Sequence, residues 1–161
     1  MRTAAAEAHV EIRIHPSPIL RTASIPVEST WTSRRVAREL ADSMLDVIDN
    51  TTAAAGLAAQ QVGRLLRVFA WNASGLRTDH HALANAFIID RLGTSREQES
   101  CLSLPGVARE KARARVVRIR GYCLFSRQDV ELTLHGLEAR IVQHAVEHLD
   151  GVLFTDRRAR P

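Results

Sequence analysis

A chain of 161 residues, 45% of them hydrophobic and 25% charged, is long enough to bury a full core and reads as one domain. Two cysteines exclude a disulfide framework, and no apolar run approaches the roughly 20 residues that a membrane-spanning helix needs. The net charge of +4 is carried almost wholly by arginine, since Lys111 is the only lysine, and arginine abundance by itself is no nucleic-acid signal.

Residues 1–10 predict a flexible leader ahead of a domain spanning 11–161. The leader lacks an apolar signal core, which points to the cytoplasm. Thr32 to Asp49 predicts a helix, with Thr32 as cap and Val36, Leu40, Met44, Leu45 and Ile48 as its apolar stripe. Arg67 to Trp71, Ala84 to Ile89, Val116 to Phe125 and Val130 to Leu134 predict strands, and Ser126 to Asp129 turns the last two into a hairpin. Cys123, inside an apolar-rich run, reads as a buried strand cysteine. Cys101 lies instead in a compact turn-like segment, Glu99 to Gly106. Between Arg109 and Arg120, the placing of Arg113 and Arg115 among Val and Ile suggests the exposed face of a strand. Arg34-Arg35 and Arg157-Arg158-Arg160 read as a solvated face and a basic tail, and nucleic-acid or ribosome contact is not expected from them.

Leu137 to Leu149 predicts the closing helix. Leu137, Ile141, Ala145 and Leu149 recur every four residues, Val142 and Val146 widen the stripe, and Gly151 follows the last turn. Taken together the elements predict an α+β fold of antiparallel strands packed around a C-terminal helix. That helix carries the most informative residues of the chain, His144 and His148. Histidines at i and i+4 lie on one helix face, so two imidazoles can share one divalent metal ion. The spacing is that of the HExxH metal-hydrolase motif, but Ala145 occupies the place of its general-base glutamate. A catalytic metal site commonly has three protein ligands and one open position, and Cys101, Cys123 and the five other histidines are the candidates for the third ligand.

Three segments in order resemble the peptide deformylase family. Ala54 to Gln61, AAGLAAQQ, resembles the family's GxGLAAxQ. Glu99 to Ser103, ESCLS, resembles EGCLS. Gln143 to Phe154, QHAVEHLDGVLF, resembles QHExDHLxGVLF. His15 to Arg21 is similar to the family's opening HPDPxLR, and Asn85 and Arg113 fall at further family positions. The resemblance spans about residues 11–157 and implies an α+β metal hydrolase. It implies that Cys101, His144 and His148 are the metal ligands, and that Gln61 and the backbone N–H of Leu102 polarise the substrate carbonyl. It places Ala54, Gly56, Glu99 and Ser100 at the substrate pocket. A thiolate with two imidazoles suits Fe2+, Zn2+, Ni2+ or Co2+. The implied substrate is a small N-formyl or N-acyl group, including one on a peptide. Some members carry a long C-terminal helix that docks on ribosomes, and the residues after Phe154 are too few for one, which favours a specialised substrate.

The chain departs from the family at Ala54 and Ser100, where the motifs have glycine, at Ala145, and more mildly at Glu147. Ala54 and Ser100 predict a reshaped or narrowed pocket. Ala145 predicts weak or altered activity on formyl-Met peptides, because a general base contributes roughly 10²- to 10⁴-fold. Glu147, about 200° round the helix from the missing base, points away from the ligand face. Glu99, beside Cys101, is the better substitute. The alternative function is a metal-binding pseudoenzyme, or a homologue recruited to other metal-assisted chemistry.

Overall fold

The computed structural model describes residues 10–157; residues 1–9 of the expected leader and Arg158 and Arg160 of the basic tail lie outside the described residues. Helix α1 (Trp31–Asn50) leads into strands β1 (Gly56–Ala58), β2 (Val68–Trp71), β3 (His81–Leu92), β4 (Ser95–Cys101), β5 (Leu104–Arg113), β6 (Val116–Cys123) and β7 (Gln128–His135), and helix α2 (Gly136–Leu149) follows. The order β1-β2-β3-β6-β7 makes one antiparallel sheet, and β4-β5 is a separate antiparallel hairpin. Among the described residues no helix is long and apolar enough to cross a membrane.

The two helices cover opposite faces of the sheet, and strand alternation decides which residue meets which helix. Leu57, Val68, Ala70, Ala82 and Ala84 share a core with α1. Ala58, Phe69, Trp71, Leu83 and Ala86 share one with α2. Ala84 and Ala86 would face the same way in a regular strand. They face opposite ways because the β3–β6 register shifts between Ala84 and Phe87, around Asn85 at φ +54°. The Asn85 side chain accepts from the Val27 N–H and donates to the Val27 carbonyl, both at 2.7 Å, and so ties the bulge to the segment before α1.

The predicted helices and four of the strands are present, with shifted ends. The cap of α1 is Thr30, not Thr32: the Thr30 hydroxyl accepts from the Ser33 N–H at 3.1 Å. Val36 is 45% exposed, and Ala37 and Ala41 take its place in the buried stripe, where small side chains let α1 approach the alanines of the sheet. Leu137, placed on the buried stripe of α2, is 54% exposed. Cys123 is half-buried at the end of β6. The expectation for Arg113 is overturned. The chain turns between β5 and β6, and the Arg113 side chain is fully buried, while Arg115 is exposed.

Gly151 ends the turn after α2 at φ +74°, and a Cβ there would lie 2.6 Å from the Arg21 carbonyl oxygen. Gly151→Ala is therefore expected to destabilise the protein by about 1–3 kcal/mol, from the left-handed backbone and the clash together. Chemical denaturation measures it, and an unchanged midpoint would refute the close approach.

Candidate metal centre

Each of the three segments that matched a motif supplies one wall of a cavity of about 640 Å³. Thr52 to Gly56 form one side, the tip of the β4–β5 hairpin another, and Leu137, Arg140, Ile141, His144 and Ala145 of α2 the floor. Gly56 is required by packing: a Cβ on it would lie 2.6 Å from Cγ2 of Ile141. Ala54 is half-buried and Ser100 exposed on the cavity wall, and the volume that remains is ordinary for a small-molecule site.

At one end of the cavity Cys101, His144 and His148 present Sγ and two imidazole nitrogens within 4.8 Å of one another. His144 and His148 are successive turns of α2, and their Nε2 atoms are 3.1 Å apart. Cys101 ends β4, where the pairing with β5 slips between Ser100 and Cys101, and its Sγ lies 3.3 Å from His148 Nε2. Metal–sulfur and metal–nitrogen bonds of about 2.3 and 2.0 Å in a tetrahedron separate such donors by roughly 3.3–3.6 Å. The residues therefore fit a divalent transition metal, both in donor chemistry and in spacing.

Glu99 organises this cluster. Its buried carboxylate accepts from Arg113 Nε and Nη2, both at 2.7 Å, and from Arg140 Nη1 at 2.7 Å, and it meets His144 Nδ1 at 2.9 Å. Glu147 closes the group with an ion pair to Arg113 at 2.8 Å. Burial alone would raise the pKa of Glu99, but the hydrogen bonds from Arg113 and His144 outweigh it and hold the carboxyl well below the usual carboxylate range. A carboxylate in that state is a poor proton acceptor, which removes the basis for Glu99 as a substitute base. It acts on His144 instead: a proton on Nδ1 donated to Glu99 leaves Nε2 facing the other two donors.

The two imidazoles are shifted in opposite directions. Burial lowers the pKa of His144, but the Cys101 sulfur and the Glu99 carboxylate raise it by more. His148 shifts the other way, driven down by burial and then by the charges of His144 and Arg113.

Gln61 lies in a single 3-10 turn, Ala59–Val62, directly after β1. Its Oε1 accepts from the Ala58 N–H at 3.0 Å, which turns Nε2 toward Cys101 Sγ at 3.4 Å and Ser103 Oγ at 3.3 Å. Leu102 lines the cavity beside Cys101. Ala145 also lines it, 3% exposed, on the turn between the two histidines. Cys101, His144, Gln61, Leu102, Ala145, Ala54, Gly56, Glu99 and Ser100 thus all line one cavity, and His148 adjoins it through Cys101 and His144.

Several supporting residues escaped the sequence reading. Arg140, one turn before His144, also reaches the Ser95 and Lys111 carbonyls, and so fastens α2 to the hairpin. Gln143 clasps Ala114, accepting from its N–H and donating to its carbonyl, both at 3.0 Å. Gln60 donates to the His148 carbonyl at 2.7 Å. Arg140 was findable, since residues four apart on a helix share a face. Gln60 carried no local signal.

A cysteine sulfur and two imidazoles gathered beside a substrate-sized cavity in an α+β protein form the donor set of a metal hydrolase. The chain belongs to the polypeptide deformylase family, whose sequence profile matches residues 9–161. It is 37% identical over 144 residues to a peptide deformylase of Rhodopirellula baltica, covering 88% of this chain and 69% of that one. With a peptide deformylase of Alkalilimnicola ehrlichii the identity is 38% over 151 residues, 92% of this chain and 82% of the other. The crystal structure of a peptide deformylase from Legionella pneumophila superposes with a TM-score of 0.83 at 29% identity, covering 92% of this chain and 85% of that one. Members of the family are hydrolases that use a metal ion and act on peptides.

Proposed function

We propose that this chain holds one divalent metal ion, Fe2+, Zn2+, Ni2+ or Co2+, on Cys101, His144 and His148, and that it is a hydrolase of the deformylase kind. Its substrate is an amine carrying a formyl or similarly small acyl group, on a peptide or a smaller molecule. Turnover of formyl-Met peptides is held low by Ala145. The observation that carries this reading is the convergence of one Sγ and two Nε2 atoms, with the Gln61 amide beside them.

A bound divalent metal polarises a carbonyl and acidifies water. The residues of the chain do the rest. Gln61 Nε2, oriented by the Ala58 N–H on its own Oε1, is placed to donate to a substrate carbonyl oxygen, and the Leu102 N–H is the second donor. Such donors contribute about 3–4 kcal/mol each where charge develops in the transition state. The wall from Ala53 to Gly56 and the floor at Ile141 bind the apolar part of the substrate and exclude water. Proton transfer is the missing part. Glu99 is the one carboxylate among the described residues lining the cavity, and two arginines and His144 occupy it. That observation favours a second reading, a metal-binding pseudoenzyme. Formate release from formyl-Met peptides separates the two.

The ligand assignment has its own test. Elemental analysis of the purified protein is expected to show about one equivalent of transition metal, as a single site of three protein ligands requires. Cys101→Ser is expected to lose it, and full stoichiometry in that variant would overturn the assignment.

A further inference from the structure

The arginines that the sequence scatters along α1 are gathered by the fold into a second site. Two adjoining depressions of about 310 and 170 Å³ lie between the start of α1 and the β6–β7 hairpin, and share Ser29, Arg34 and Tyr122. They share no lining residue with the metal cavity. Their walls carry Arg34, Arg35, Arg38, Arg120 and Arg127 against the carboxylates of Glu39 and Asp129.

Three of these arginines lie over aromatic rings. The Arg34 guanidinium carbon is 3.9 Å from the centre of the Tyr122 ring, that of Arg38 is 4.1 Å from Phe125, and that of Arg35 is 5.0 Å from Trp31. Arg38 is paired with Asp42, and Arg120 with Glu131. Arg34 and Arg127 have no carboxylate at ion-pair distance among the described residues. Apolar planes are open at both ends, with Trp31 71% and Phe87 48% exposed.

We propose that this basic, aromatic trough binds a short stretch of single-stranded nucleic acid. Phosphates would sit against Arg34 and Arg127, and unpaired bases would stack on Trp31 and Phe87. Guanidinium groups already laid on rings lose little further freedom on meeting a phosphate. Exposed aromatic faces among cations are the arrangement that stacks bases without reading their sequence. An acidic peptide would satisfy the arginines but leave Trp31 and Phe87 with nothing to cover them. A duplex keeps its base faces hidden.

The chain contains two tryptophans, and Trp71 is fully buried, so quenching of emission by added oligonucleotide reports on Trp31. The whole chain is titrated with oligouridylate and, in parallel, oligodeoxyuridylate, which differs from it only in lacking the 2′-hydroxyl. Saturable quenching is expected with both, and tighter binding of the uridylate identifies a contact to the 2′-hydroxyl. Affinity should fall with salt with a log–log slope of about −2 to −3, as three or four phosphate contacts on a single strand require. Arg34→Gln with Arg127→Gln should reduce that slope by about 1.4. Trp31→Ala, read by anisotropy of a labelled oligonucleotide, should weaken binding at least about fivefold. Each variant is checked for an unchanged thermal midpoint, and all three positions are at the surface. No binding would overturn the proposal. So would binding that the arginine pair or Trp31→Ala leaves unaltered, which would move the contact to the basic tail. Equal binding of a polyglutamate peptide, insensitive to Trp31→Ala, would assign the trough to acidic proteins instead.

Discussion

Ala145→Glu is expected to raise the rate of formate release from formyl-Met peptides by about 10²- to 10⁴-fold, the range of a well-placed general base. Position 145 lies on α2 between the two histidines and borders the cavity, so a longer side chain has somewhere to go. Among the described residues at the cavity, no other acid competes for the role. Glu99 is bound by Arg113, Arg140 and His144, and Glu147 is paired with buried Arg113. The metal content should not change, because residue 145 donates nothing to the cluster. If the unaltered chain already turns over at an ordinary rate of roughly 1–10³ s⁻¹, the account of a missing base is wrong. If Ala145→Glu gains nothing while the metal is retained, the cavity serves other chemistry, and Ala54 and Ser100 are the first residues to revert.

The second large effect is on stability. Arg113→Met is expected to cost about 3–5 kcal/mol, the usual consequence of removing one member of a buried ionic group. The Arg113 side chain has no exposed surface, and it bridges Glu99 to Glu147. Glu99⁻ and Glu147⁻ balance Arg113⁺ and Arg140⁺, so removing Arg113 leaves an excess negative charge where water cannot solvate it. In a domain of this size the loss corresponds to a fall of roughly 6–20 °C in Tm. Metal affinity should fall as well, by about 10- to 100-fold, since Glu99 orients His144 and is itself oriented by Arg113. Glu99→Gln should produce a similar loss, and the double variant less than the sum, because the two residues share one network. A change within about 0.5 kcal/mol, the range of an unremarkable surface substitution, would mean that the group does not hold the structure as described.

Much of the fold was legible because it rests on local rules. Residues 137–149 repeat at helical spacing, and α2 runs Gly136–Leu149. β2, apolar at every position, is buried on both faces and joins both cores, whereas the alternation in β6 survives as a core face with Val117 and Ile119 and an exposed face with Arg118 and Arg120. The hairpin β4–β5 was not legible. SREQESC has no apolar alternation, because this two-stranded element buries little on either face and is fastened by Arg140 and the Glu99 group instead. Arg113 was misread for a related reason. Its neighbours alternate like an exposed strand, but the carboxylates that justify its burial come from 14 residues before it and from α2.

The i, i+4 pair His144 and His148 on an apolar-striped helix is written in the chain itself, since helical pitch alone puts both imidazoles on one side. The alanine at 145 is equally explicit. Neither statement says what else stands nearby. That Cys101 meets His148, that Gln61 turns its amide toward the sulfur, and that Glu99 is locked between two arginines follow from β4 and the turn after β1 both meeting α2. Apart from Glu99 and Arg113, which are 14 residues apart, these contacts join residues 40 to 47 positions apart in the chain, where sequence spacing carries no distance information. Tertiary packing decides them, through the close approach that Gly56 permits and the charge balance that buried Arg113 demands.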